Sequence, residues 1–106
     1  MQEPAPHAAL LQRLLRLMGR LYAESEDYFD HPEQEQLWYN RGYADGMHQA
    51  LRDLGYAEDV RGRVPAGVRP LPPGFEVLSW GRAYLHGQTL GDRETREVLV
   101  PRRTDL

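Results

Sequence analysis

The sequence contains no cysteine, no lysine and no isoleucine, and Asn40 is its only asparagine. Without cysteine the chain cannot form disulfides, thiolate nucleophiles, zinc fingers or iron–sulfur clusters. Without lysine it cannot form a Walker-type phosphate-binding loop. Because lysine, isoleucine and asparagine have AT-rich codons, their scarcity indicates a bacterial genome of high GC content. All 13 basic residues are arginine, so codon usage explains the arginine content without a role in phosphate binding.

The sequence also lacks long apolar runs. No run approaches the ~20 residues that a membrane span requires, and residues 1–7 lack the basic start of a secretory signal. We therefore expect a soluble, cytoplasmic protein that does not associate with membranes. With 106 residues, of which 41% are hydrophobic, the chain suffices for one modest core. We expect a disordered tail over 1–7, a single helical domain over 8–100 and a flexible tail over 101–106.

Charge is distributed unevenly along the chain. Residues 1–60 contain five arginines and eleven acidic residues, whereas residues 61–106 contain eight arginines and five acidic residues. The two parts therefore carry net charges of −6 and +3, within a total of −3. One interpretation is that the acidic and basic residues lie on two solvent-exposed faces of one fold. Alternatively, the two parts attract each other between subunits, or the basic part binds an acidic partner.

Apolar residues recur at helical spacing in three segments, which predicts helices over residues 8–29, 33–54 and 75–90. The proline-rich residues 56–74 are expected to form an extended linker. Residues 93–99 are expected to form a short helix or an extended piece. The sequence therefore predicts an all-α fold, a small bundle of three main helices plus this C-terminal piece, arranged up and down or as two helix pairs about a pseudo-twofold axis.

Individual residues mark the expected ends of these helices. Asp30 or His31 is expected to cap the start of the second helix. Gly55 is expected to end the second helix, and Gly91 is expected to end the third. Asp92 then follows as the expected cap of the C-terminal piece.

Two segments, 37–46 and 78–87, share the pattern L-x-[YW]-x-R-[GA]-Y-x-x-G. The match indicates an internal helix duplication, with chance similarity as the alternative. Each copy places a small residue four positions before a glycine, and glycine in a helix interior costs up to about 1 kcal/mol. We therefore expect close helix packing at these small residues, flanked by tyrosines, or else a flat ligand stacked on the adjoining aromatic rings. The residues concerned are Gly42, Gly46, Ala83, Gly87, Tyr43 and Tyr84.

Arg41 and His48 are separated by six residues on the second predicted helix. This spacing resembles the signature of HEPN-type ribonucleases, which are small all-helical domains. The resemblance implies that Arg41 would stabilise phosphate charge and that His48 would move protons, without a metal. Gly42 follows the arginine where that family usually has a polar residue. The alternative is that the two residues lie on the helix with no joint role.

We predict no metal site and no cofactor. His31, His48 and His86 would have to converge from different helices, with Asp45, to hold a metal, and no HExxH pattern occurs. Nucleic acid is an open alternative, because the second half of the chain is rich in arginine, although the net charge of −3 opposes non-specific binding. The candidates for that contact are Arg93, Arg96, Arg102 and Arg103.

These patterns favour a small bacterial interaction protein, an adaptor or regulator that acts through homo-oligomerisation, as in a homodimer, or through docking of a protein partner. The leucine-rich stripe of the first helix is the expected docking face, formed by Leu11, Leu14, Met18 and Leu21. A nucleic-acid-associated protein and a HEPN-like metal-independent ribonuclease are the alternatives. The sequence thus favours a non-enzymatic protein and leaves enzymatic activity open.

Overall fold

The computed structural model describes residues 6–65 and 71–99, and the regular secondary structure of these residues is helical, without strands. The predicted all-α fold is confirmed. The tails over 1–5 and 100–106 and the linker residues 66–70 lie outside the described part. The helices are α1 (Pro6–Glu24), α2 (Glu35–Asp53), α3 (Ala57–Val60) and α4 (Ser79–Leu99), with 3-10 turns at Tyr28–Asp30 and Phe75–Val77.

Helix α1 ends at Glu24, before the end expected from its apolar pattern. The buried Ser25 hydroxyl donates to the Leu21 carbonyl (2.6 Å), and such a side-chain bond competes with continuation of the helix. Tyr28 and Phe29 therefore belong to a separate 3-10 turn. This turn directs both aromatic rings toward α2, where they contact Trp38.

Helix α2 begins at Glu35, and neither Asp30 nor His31 caps it, contrary to the prediction. Gln34 occupies the cap position without a side-chain hydrogen bond. The His31 carbonyl instead accepts the indole N–H of Trp38 (3.1 Å), which fixes the turn before the helix against the helix itself.

At the other end of α2, Gly55 ends the helix as expected, with φ of +102°. The Gly55 amide donates to the Arg52 carbonyl (3.1 Å), and the Tyr56 amide donates to the Leu51 carbonyl (2.8 Å). This is the Schellman pattern, and the partly buried Tyr56 ring packs against the core beside it.

Helix α4 continues through Gly91, so the prediction that this glycine ends a helix is wrong. A side chain at Gly91 would overlap the backbone carbonyl of Tyr43, because α2 lies directly against it. Asp92 is also not a cap: it accepts hydrogen bonds from Arg96 within the helix (2.7 Å). The predicted C-terminal piece is therefore the last part of α4.

Helices α2 and α4 run parallel. Gly42 of α2 lies against the backbone of Tyr84, whereas Gly46 lies one turn further along, against Gln88 and Asp92. Contacts thus advance in the same direction along both helices, unlike those between neighbours in an up-down arrangement. The connection over 54–78 returns the chain to the starting end, and it includes α3 rather than a fully extended linker.

The core lies where α1 crosses this pair. Tyr22, near the end of α1, reaches Asp45 near the middle of α2. Tyr28, just beyond the end of α1, contacts Trp38 near the start of α2, so the two helices are antiparallel. Val60 of α3 and Leu99 of α4 close the same cluster, so all four helices contribute to one core. Its buried members are Leu11, Leu15, Met18, Tyr22, Ala44, Met47, Leu51, Val60 and Leu99.

Candidate functional site

Four glycines form the contact between α2 and α4. Gly42 and Gly46 face carbonyl oxygens of α4, and Gly87 and Gly91 face those of Tyr39 and Tyr43. The structure thus brings Gly42, Gly46 and Gly87 together as predicted. On α4, however, the two small residues that contact α2 are Gly87 and Gly91, one turn beyond the predicted pair of Ala83 and Gly87. The neighbouring backbone fills this space, which leaves no room for a stacked ligand.

The tyrosines beside this contact donate hydrogen bonds to carboxylates. The hydroxyls of Tyr22 and Tyr84 donate to the two oxygens of Asp45 (2.6 and 2.5 Å), so one carboxylate connects α1, α2 and α4. The Tyr43 hydroxyl donates to Glu94. Burial, and then the Asp45 charge, raises the pKa of Tyr22 and Tyr84 above the usual value near 10. These hydroxyls therefore stay protonated at neutral pH and serve as structural donors.

Arg41 lies between two aromatic rings, one turn before Asp45 on α2. Its guanidinium carbon is 4.9 Å from the ring centre of Tyr22 and 4.6 Å from that of Tyr28. Both distances are within the range of cation–π attraction. Because the two rings belong to elements that precede α2, packing of α1 and the first 3-10 turn on α2 creates this setting.

A cleft of about 480 Å³ opens beside Arg41, and we refer to it as the Arg41 cleft. Aromatic rings line part of it, and charged side chains of both signs reach its rim. The residues around it are Tyr22, Ala23, Glu26, Tyr28, Phe29, Asp30, Arg41, Gly62, Arg63, Val64 and Pro65.

His48, the other member of the expected ribonuclease pair, is not among the residues of this cleft. It is half-buried on α2, where burial, reinforced by the Arg52 charge, lowers its pKa. Arg41 thus lines this cleft without His48, and the joint role of the two residues stays a prediction.

Aromatic rings form a row across the end of the bundle where α2 and α4 begin. Trp38, 2% exposed, contacts the rings of Tyr28 (4.8 Å between centres) and Trp80 (4.1 Å). Phe75 stacks on Trp80 (6.2 Å). The members of this row come from separate segments, so the sequence alone did not predict it. The one available signal was the position of Trp38 on its helix, beside the predicted apolar stripe.

Two apolar side chains are exposed next to this row. Val77 is 70% exposed and Leu78 is 44% exposed, at the junction between the second 3-10 turn and α4. Together with their exposed neighbour Glu76, they form what we call the Val77 surface.

The expected docking face of α1 lies inward instead. Leu11 and Met18 are buried in the core, and Leu14 and Leu21 are partly buried against it. These side chains pack on the chain's own helices, so little of their surface is free. Leu17 is the large apolar residue of α1 that remains exposed in the described part of the chain.

Two of the candidate nucleic-acid arginines, Arg93 and Arg96, lie one turn apart on α4. Arg96 donates to Asp92 (2.7 Å) and to Asp53 of α2 (2.8 Å), so its charge is compensated within the fold. Arg93 is exposed. Arg102 and Arg103 lie outside the described residues.

No three side chains of His, Asp or Glu come together as metal ligands within residues 6–65 and 71–99. His31 pairs with Glu33 (3.3 Å), and His86 lies near the ring of Tyr39. None of the helices described here is both long and apolar enough to span a membrane. Comparisons with protein-family models, with curated proteins and with solved structures find no match to this chain.

Proposed function

We propose that this chain is a non-enzymatic interaction protein, an adaptor or regulator, and that it self-associates through the Val77 surface. The observation that carries the proposal is the exposure of Val77 and Leu78 side by side on an ordered segment. Exposed apolar groups that adjoin one another, with a polar rim, are typical of protein contact sites.

The segment that carries these side chains is held firmly. The Arg82 side chain donates to the Val77 carbonyl (2.7 Å), and the Leu78 amide donates to the Phe75 carbonyl (3.0 Å). Gly81 of α4 packs directly on the Phe75 backbone. Because the apolar pair cannot fold back into the core without breaking these contacts, its exposure is built into the turn. A preorganised surface also loses less conformational entropy on binding.

A second copy of the chain fits the charges around this surface. Glu76 and Arg82, both exposed, flank the apolar pair with opposite signs. In a twofold contact every pair of residues occurs twice, once in each direction. If Glu76 of one copy faces Arg82 of the other, then Arg82 of the first copy also faces Glu76 of the second. The apolar side chains then pack at the centre, where water is excluded.

Sedimentation equilibrium at tens of micromolar tests this proposal. We expect a dimer mass for the unmodified chain and a monomer mass for Val77→Asp and for Leu78→Asp. Val98→Asp is the matched control, since Val98 is an exposed valine near the opposite end of α4, and it should leave the dimer intact. A monomeric unmodified chain would overturn the proposal, and equal weakening by all three substitutions would show that another surface is used.

The charge pair provides a second test. Glu76→Arg alone and Arg82→Glu alone should each weaken the dimer because each brings like charges together. The double variant restores the opposite pairing and should regain association if the contact is twofold. Arg82→Ala is the control for the hydrogen bond to the Val77 carbonyl, which every Arg82 substitution removes. Failure of the double variant to recover, while Arg82→Ala still dimerises, would contradict the pairing.

A further inference from the structure

We propose that the Arg41 cleft binds a small amino carboxylate, of the class of a free α-amino acid with an apolar side chain. The proposal is independent of self-association. It follows from the state of Arg41, the mixture of charges around the cleft and the nature of its walls.

Arg41 forms no ion pair with a carboxylate of the described residues. Asp45, one turn further along α2, accepts hydrogen bonds from two tyrosine hydroxyls instead. No side-chain nitrogen or oxygen among the described residues is buried without a hydrogen-bond partner. The guanidinium donors are therefore accessible to solvent, and the cleft is the space beside them.

The rings of Tyr22 and Tyr28 hold this guanidinium in place. A guanidinium fixed in this way presents paired N–H donors whose spacing matches the two oxygens of a carboxylate. Because the side chain is already ordered, a ligand does not have to immobilise it. The carboxylate of the ligand is therefore assigned to Arg41.

The rim of the cleft carries charges of both signs. Arg63 is exposed, with its Nε–H donated to the Asp59 carbonyl (3.0 Å), whereas Glu26 and Asp30 contribute carboxylates. These carboxylates repel a phosphate dianion or a nucleic-acid backbone but attract an ammonium group. A ligand with one carboxylate and one ammonium group satisfies both sides.

The remaining wall is apolar. Phe29 and Val64 line the cleft together with the two tyrosine rings. The volume of about 480 Å³ lies in the range of small-molecule sites and accommodates an amino acid with a large side chain. An apolar side chain gains from contact with these walls, so phenylalanine is the probe of choice.

Isothermal titration calorimetry with four probes tests the assignment: L-phenylalanine, 3-phenylpropionate, 2-phenylethylamine and inorganic phosphate. We expect L-phenylalanine to bind, and the two analogues, each lacking one charged group, to bind at least about tenfold more weakly. Phosphate should not bind. Absence of L-phenylalanine binding, tighter binding of phosphate, or equal binding of the phenylethylamine would each overturn the proposal.

Variants assign the binding to the cleft. Arg41→Gln should abolish binding, and Arg41→Lys should weaken it while preserving the positive charge, because an ammonium group lacks the paired donors. Arg16→Gln, at an exposed position on α1, is the control and should bind as the unmodified chain does. Unchanged binding by a folded Arg41→Lys and a folded Arg41→Gln would exclude the cleft.

Discussion

Gly46 occupies a point where the backbones of α2 and α4 touch. A Cβ atom there would overlap the Gln88 carbonyl and lie 2.7 Å from the Asp92 amide nitrogen. We expect Gly46→Ala to destabilise the fold by about 1–3 kcal/mol, because overpacking outweighs the gain in helix propensity. Urea unfolding monitored by circular dichroism measures this change.

Gly19 provides the matched control for this prediction. It is also in a helix interior, but nothing lies within 4 Å of the position that its Cβ would occupy. Gly19→Ala should therefore stabilise the chain by up to about 1 kcal/mol, through helix propensity alone. Equal stabilisation by both alanine variants would show that the α2–α4 backbones do not meet at Gly46.

At the scale of single residues, the sequence indicated which residues make close contacts. It did not indicate which groups those residues contact. The spacing of Gly42 and Gly46 marked a flat face on a helix, and the structure places a helix backbone there. The spacing of Arg41 and His48 suggested a catalytic pair. It could not reveal the rings of Tyr22 and Tyr28 on either side of Arg41, because they come from earlier segments.

At the scale of elements, Asp45 joins three helices through the hydroxyls of Tyr22 and Tyr84. Both tyrosines have pKa values in the folded chain that are raised, first by burial and then by the Asp45 charge. The unfolded chain therefore loses these protons first, near pH 10, and binds fewer protons than the folded chain above that pH. Stability conferred by the raised pKa values is present below about pH 10 and declines as the pH rises further.

Urea unfolding at a series of pH values from 8 to about 11 measures this decline. We expect stability to fall above about pH 10 in the unmodified chain and to fall less steeply in Tyr22→Phe and Tyr84→Phe. Tyr39→Phe is the control, since it changes a tyrosine of α2 outside the Asp45 network. A slope that is the same in all four proteins would show that folding does not raise the pKa values of Tyr22 and Tyr84.

Helix ends illustrate why element boundaries were only partly predictable. Gly55 and Gly91 each follow an apolar stripe, so the sequence presents the same stop signal twice. Gly55 adopts a positive φ with open space around it, whereas Gly91 remains helical against Tyr43. The difference depends on a helix that lies far away in the sequence, which short-range patterns do not report.

At the scale of the whole molecule, the parallel helices hold the two halves of the chain together across a long connection. The exposed Arg61 and Arg63 offer trypsin cleavage sites in that connection. We expect limited trypsin digestion to cut there and the two fragments to remain associated in size-exclusion chromatography. The contact between α2 and α4 bridges the cut and does not depend on the peptide bond.

Denaturing electrophoresis of the eluted peak should then separate the two fragments. The same digestion of Gly46→Leu is the control, because a bulky side chain forces α2 and α4 apart and its fragments should elute separately. Separate elution of the fragments from the unmodified chain would show that the connection, rather than the helix contact, maintains the fold.

Composition and periodicity were sufficient to predict the all-helical fold, since apolar stripes recur at helical spacing over most of the chain. The parallel direction of α2 and α4 was not predictable in the same way. It requires the connection to return along the bundle, and the proline-rich sequence over 65–73 fits many paths equally well. The apolar stripe of α1 was likewise compatible with two arrangements, packing on a partner protein or packing on the chain's own core. Either arrangement buries the same leucines, so the sequence could not decide between them.

The glycine contact has a further chemical consequence. At Gly42, Gly46, Gly87 and Gly91 a hydrogen atom stands in the direction of the missing Cβ and points at a carbonyl oxygen of the opposite helix. Such Cα–H···O contacts contribute about 0.5–1 kcal/mol each, so glycine acts there as a weak donor as well as a small residue. We therefore expect the α-proton that faces the carbonyl to resonate downfield of the other α-proton of the same glycine, which proton NMR measures.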